Sequence, residues 1–103
     1  MKKKQANTAK LNGHPEYVLC LFITGATPNS VRAINNIQSI CESHLQGRYS
    51  LRIIDVYQDR ALAQREQLVA LPLLIKKLPL PERKLIGDLS QTEKVIQVLG
   101  LKL

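Results

Sequence analysis

The chain is 103 residues long, 45% hydrophobic and 22% charged, the size and balance of one globular domain. Three Tyr, one Phe and no Trp leave the core to aliphatic side chains. The longest apolar runs, YVLCLFI and LVALPLLI, fall far short of the ~20 residues that cross a bilayer, and the formal charge of +7 suits an anionic partner or a solvated basic tail with no specific partner.

Residues 1–15 form a polar arm ending in NGHP, expected to be flexible, and a single domain is expected over 16–103. Lys2, Lys3, Lys4 and Lys10 against Glu16 give residues 1–16 a charge of +3, and the rest carries +4. No apolar stretch of a signal peptide follows the lysines, so the cytoplasm is the expected location. Nucleic acid is not an expected partner: without interleaved aromatics or a known module, only unspecific phosphate attraction remains.

YVLCLFI, residues 17–23, has the composition of a central strand, apolar on both faces. Gly25 permits a tight turn after it. Thr27 has the hydroxyl of a helix cap, and Pro28 suits the first helical position, where no N–H is needed. Val31, Ile34, Ile37, Cys41 and Leu45 then recur at three- and four-residue steps and predict one buried stripe, widened by Ala33 and Ile40. Gly47 ends this helix, and YSLRIIDV, residues 49–56, alternates like a second strand. Strand, helix, strand makes a right-handed βαβ unit with parallel strands.

Residues 59–70 predict a weakly amphipathic helix with Asp59 at its N-cap and Leu62, Glu66, Gln67 and Val69 on it. Beyond Ala70 the pattern leaves alternatives open. LLIKKL and RKLIG are short strand candidates, yet six apolar residues also fit one and a half helical turns. DLSQTEKVIQVLGL offers Ser90 as N-cap, Glu93 at the capping-box position and a helical stripe of Val95, Ile96 and Leu99. A strand through KVIQVL is equally open.

The turn TGATPNS lacks the groups that a phosphate loop or a redox site requires. A phosphate loop needs several glycines and a lysine; this turn has one glycine, no lysine, and a proline that removes a donor. A redox site needs a thiol at the helix start, where the dipole lowers its pKa. Thioredoxin-like proteins place CxxC there, whereas this chain has Thr27, Pro28, Asn29 and Ser30. Cys20 and Cys41 lie in the strand and the helix and are expected as buried thiols, not a disulfide. Asp55, Asp59 and Glu66 lack metal-ligand spacing, and neither Ser30 nor Ser39 has a supporting His. No catalytic residue, metal or cofactor is expected, and Asp55 and Asp88 are assigned to turns or caps.

GATPNSVRAI, YSLRIIDV, ALAQREQLVALP and LPLPERKLIGDLSQTEKVI together resemble the KaiB family of small thioredoxin-like α/β proteins, over about Tyr17 to Leu99. The resemblance implies a non-enzymatic protein that binds a KaiC-type hexameric ATPase and rests as a dimer or tetramer. It also implies two arrangements of the C-terminal half: a ground state of order βαββααβ, and a thioredoxin-like order βαβαββα that binds the ATPase. The first half stays and the second rearranges, and two packings of one sequence can lie within a few kcal/mol. Arg32, Arg52, Lys76, Arg83 and Lys84 match basic positions tied in the family to partner binding or the tetramer cleft. Gly25, Thr27, Pro28, Pro72, Pro79, Pro81, Gly87 and Asp88 match positions that determine the fold or its switch. Leu80 interrupts a run of prolines, Leu71 replaces a usual Thr, Cys20 a frequent Lys, and Gln97–Gly100 stand where relatives carry Gly and Asp. These departures point to a divergent member, in a clock or in a clock-derived stress or signalling system. A sensory module in a histidine kinase pathway is the alternative, and a thioredoxin-fold enzyme ranks below both.

Overall fold

The computed structural model describes residues 15–65 and 70–101. Its elements run β1 (Tyr17–Ile23), α1 (Pro28–His44), β2 (Tyr49–Asp55), α2 (Arg60–Arg65), β3 (Leu73–Leu78), β4 (Arg83–Ile86) and α3 (Thr92–Leu99). The order is βαβαββα, the thioredoxin-like one of the two arrangements. The sheet order is β2-β1-β3-β4, with β1 parallel to β2 and antiparallel to β3, and β3 antiparallel to β4.

Strand alternation sorts the core into two layers. Tyr17, Leu19, Leu21 and Ile23 of β1 face α1 and α3, where they meet Ala33, Ile37, Cys41, Val95, Ile96 and Leu99. Cys20 and Phe22 face the other way, with Ile54, Leu73 and Ile75, and Leu62 of α2 packs against them. This explains why YVLCLFI is apolar throughout: β1 is a central strand buried on both sides.

Two expectations are corrected in detail, and one open alternative is decided. Val31 is not part of the buried stripe; it is 44% exposed, and Ser30 beside it is fully buried. The first turn of α1 turns inward the residue that the cap hydrogen-bonds, so a polar side chain takes the core position. Gln91, not Ser90, is the N-cap of α3, and it makes no side-chain cap bond; the Ser90 hydroxyl and amide are both turned to Asp88, the amide at 3.0 Å from Oδ1. KVIQVL is helix, ended by Gly100 at φ 78°, whose N–H donates to Gln97 O while Leu101 N–H donates to Ile96 O. That is a Schellman ending, and Leu101 packs on the core beside it.

Asp59 Oδ1 accepts the Leu62 N–H at 3.2 Å, as an N-cap does. Glu66, Gln67 and Val69 of the expected longer helix, and the arm up to His14, lie outside the described residues. The peptide bonds before Pro72, Pro79 and Pro81 are cis, and Leu89 has φ 64°. No helix among the described residues is long and apolar enough to cross a membrane.

Candidate functional site

The turn between β1 and α1 is sewn to the end of the parallel strand beside it. Asp55 Oδ1 accepts N–H groups from Gly25 at 3.1 Å and from Tyr57 at 3.0 Å, and Val56 N–H donates to Ile23 O. Gly25 has φ +61°, and its Cα faces the Tyr57 ring. Thr27 Oγ1 accepts the Ser30 N–H at 3.2 Å and donates to Ser30 Oγ at 2.8 Å; Ser30 Oγ also accepts the Thr24 N–H at 3.2 Å. Pro28 occupies the first turn. The hydroxyls thus close a helix start, and residues 24–30 hold no thiol, carboxylate or imidazole.

The thiols lie elsewhere. Cys20 and Cys41 are both buried, and burial, followed by the charge of Glu42, pushes the Cys41 thiol up to about 12. A thiol held so far above neutrality is not a nucleophile. Among the described residues no three His, Cys, Asp or Glu side chains group as metal ligands would.

The strand register divides the five predicted contact cations. Arg52, Cys20, Ile75 and Lys84 form one row across all four strands, so Arg52 and Lys84 lie on the α2 face at its two edges, roughly 14 Å apart at the usual strand spacing. Leu51, Leu19, Lys76 and Arg83 form the neighbouring row on the opposite face. Lys76 is consequently only 4% exposed; burial first, and the charge of Arg83 second, push its ammonium below the usual lysine range. Arg32 stands on α1, where its Nε–H donates to Asp88 Oδ2 at 3.1 Å and its guanidinium meets Asn29 Oδ1.

Asp88 lies between β4 and α3. The Ser90 hydroxyl and amide, and then Arg32, hold its carboxyl below the usual carboxylate range. Gly87 precedes it at φ 124°, with open space where a Cβ would stand. Asn36, absent from the sequence expectations, donates from Nδ2 to Asp88 O at 2.9 Å; its place on the polar face of α1, one turn beyond Arg32, was the available signal. A second unpredicted group joins the other end of the sheet: Arg48 forks onto Glu16 at 2.9 and 3.2 Å and covers the Tyr17 ring at 5.6 Å. Such an arrangement of cations, hydroxyl caps and apolar rows can recognise a protein surface, and its carboxylates Asp55 and Asp88 are taken up by backbone amides, Ser90 and Arg32.

The family model described as KaiB domain matches residues 20–101. The circadian clock oscillator protein KaiB of Synechococcus elongatus is 48% identical over 87 residues, covering 84% of this chain and 83% of that one. That of Prochlorococcus marinus is 45% identical over 93 residues, covering 90% and 85%. These relatives carry the name of a clock oscillator protein, not of an enzyme. Among solved structures, the N-terminal domain of Synechococcus elongatus SasA is similar at TM-score 0.60 and 28% identity, covering 84% of this chain and 86% of that one. The Drosophila melanogaster thioredoxin Deadhead matches at TM-score 0.69 with 10% identity, covering 93% and 88%, a likeness of fold alone.

Proposed function

The chain belongs to the KaiB family and is non-enzymatic, and from that premise we propose that it is a regulatory protein that docks on a KaiC-type hexameric ATPase in a clock or clock-derived signalling system. The observation that carries this reading is the βαβαββα order of the described elements, the arrangement in which the family resemblance places ATPase binding. Near-half identity to named clock oscillator proteins over most of the chain supports it. The proposed contacts are Arg32, Arg52, Arg83 and Lys84, with Arg52 and Lys84 as the exposed pair on the α2 face; Lys76, only 4% exposed, leaves the expected set because the register buries it. The proposed resting form is a cytoplasmic dimer or tetramer of the other arrangement, and Pro72, Pro79, Pro81, Gly87 and Asp88 lie in the half that would rearrange.

The likeness to the SasA N-terminal domain favours a second reading, an interaction module with a different partner. The test is size-exclusion chromatography with light scattering, over hours, of the chain mixed with the KaiC homologue of the same organism and ATP. A heavy complex that grows slowly from a free oligomer is the expected result. An oligomer that never co-elutes would sink the ATPase reading and leave the second.

A further inference from the structure

Strand β4 is an edge: Arg83–Ile86 pairs with β3 on one side and with no strand among the described residues on the other. Such an edge offers main-chain donors and acceptors to any extended chain that comes alongside. One hydrogen bond tells which amides point outward. Gly87 N–H donates toward β3, to Pro72 O at 2.9 Å, and directions alternate along an antiparallel strand. Leu85 and Arg83 therefore turn their N–H groups inward, and Ile86 and Lys84 turn theirs outward.

Along this hairpin, residues 73–86, the cations Lys76, Lys77, Arg83 and Lys84 face a single acid, Glu82. Leu80 is 74% exposed and Ile86 55%. Positive edge charges deter pairing, and the deterrent is relieved where the incoming strand carries opposite charges. A second copy of β4 would add two more cations and no acid to this edge, and like charges repel. The chain's own first fourteen residues, with four lysines and no acid, are refused for the same reason. An acidic strand meets no such barrier.

We propose that β4 accepts an extended acidic segment of a partner protein as an added antiparallel strand, with consecutive carboxylates opposite Lys84 and Arg83 and an apolar side chain opposite Ile86. Read from its N-terminus, the partner segment runs apolar, any residue, acidic, acidic. Alternation sends the apolar group and the first carboxylate to the α2 face and the second carboxylate to the other, so the edge is gripped from both sides. This deepens the docking reading and rests on it only in taking Arg83 and Lys84 as contacts.

The test titrates a blocked ten-residue peptide centred on Val-Thr-Glu-Glu into the nitrogen-15-labelled full chain at low salt. The expected result is binding with slowed amide exchange at Lys84 and Ile86, and about tenfold weaker binding to the Arg83→Glu/Lys84→Glu variant, a swing of about 1.4 kcal/mol. A peptide N-methylated at its pairing amides, which leaves the protein untouched, is expected to lose the same protection. Binding without slowed exchange at those two amides, equal binding of a scrambled peptide, or no shift at millimolar peptide would each overturn the proposal. Co-elution with the ATPase is read separately, so either result can fail while the other stands.

Discussion

Arg32 on α1 holds Asp88 at 3.1 Å across fifty-six residues of chain, and Asn36 on the same helix holds the Asp88 carbonyl at 2.9 Å. The βαβ half therefore grips the loop that leads from β4 into α3. Asp88 also fixes the Ser90 amide, next to Leu89 in the left-handed region, so one residue sets both the position and the shape of that loop.

Asp88→Asn separates charge from shape, because Oδ1 of the amide still accepts the Ser90 N–H. The Asp88 carboxyl is held below its usual value by Ser90 and then Arg32. A depressed carboxylate contributes stability above the unfolded pKa of about 3.9 and loses it as pH falls through the folded value. The variant is expected to melt lower at pH 7 and to show a shallower loss of Tm on acidification. Melting curves from pH 6 to pH 2.5 measure it; an unchanged acid limb would remove Asp88 from the account.

The cap of α1 gives a second expectation. Thr27→Ala removes the acceptor of the Ser30 N–H and is expected to cost about 1 kcal/mol. Ser30→Ala strips the acceptor from the Thr24 amide and the partner from the Thr27 hydroxyl at a fully buried position, a loss of about 1–3 kcal/mol. Urea unfolding of the two single variants and the double tests this. Strong non-additivity is expected, since both changes break one network.

The first half of the fold was legible because its signals are local. Seven apolar residues between a polar arm and Gly25 leave little but a central strand, and Thr27 with Pro28 marks the helix start by chemistry rather than by hydropathy. Ser30 was not legible, since a hydropathy stripe assigns a serine to the surface and only the cap network shows why it turns inward. Lys76 was misleading for a related reason: its charge suggests solvent, while its row with Leu19 and Leu51 is set by a register that no local pattern contains. One extra residue in β3, opposite the step from Val18 to Leu19, shifts that register further. β3 and β4, at six and four residues, are too short for periodicity to separate strand from helix.

Gly100 ends α3 at φ 78° with no atom near the position a Cβ would take. Gly100→Ala therefore meets no clash, and its cost is conformational, about 1 kcal/mol. Gly100→Asn is expected to lose less, since Asn tolerates this region. The midpoints of urea unfolding rank the three chains, and an alanine variant as stable as the parent would contradict the αL ending.

Both cysteines are buried, and Cys41 titrates only at about 12. The native chain at pH 8 is expected to react with a disulfide reagent far more slowly than the urea-unfolded chain, which should release two equivalents of thiol. The same preparation is expected to leave insulin unreduced. Rapid native labelling of Cys41 would mean that its pocket opens.

Lys76 offers the sharpest pH test, because its sign is opposite to that of Asp88. Burial and the neighbouring Arg83 push the ammonium below the usual lysine range, so folding is opposed while the group is charged. For a base whose folded pKa is depressed, stability rises with pH between the folded and the unfolded value, the latter about 10.4. The parent chain is thus expected to gain stability on alkalinisation toward pH 10. Lys76→Met keeps an unbranched side chain in the row with Leu19 and Leu51 and removes the desolvated charge, a kind of replacement that is often neutral or stabilising. The variant is expected to melt higher at pH 7 and to lose the alkaline gain, while β4 keeps Arg83 and Lys84 for a partner. A lower Tm at pH 7 together with an unchanged alkaline slope would show that the ammonium is solvated and that the two cations do not oppose each other across β3 and β4.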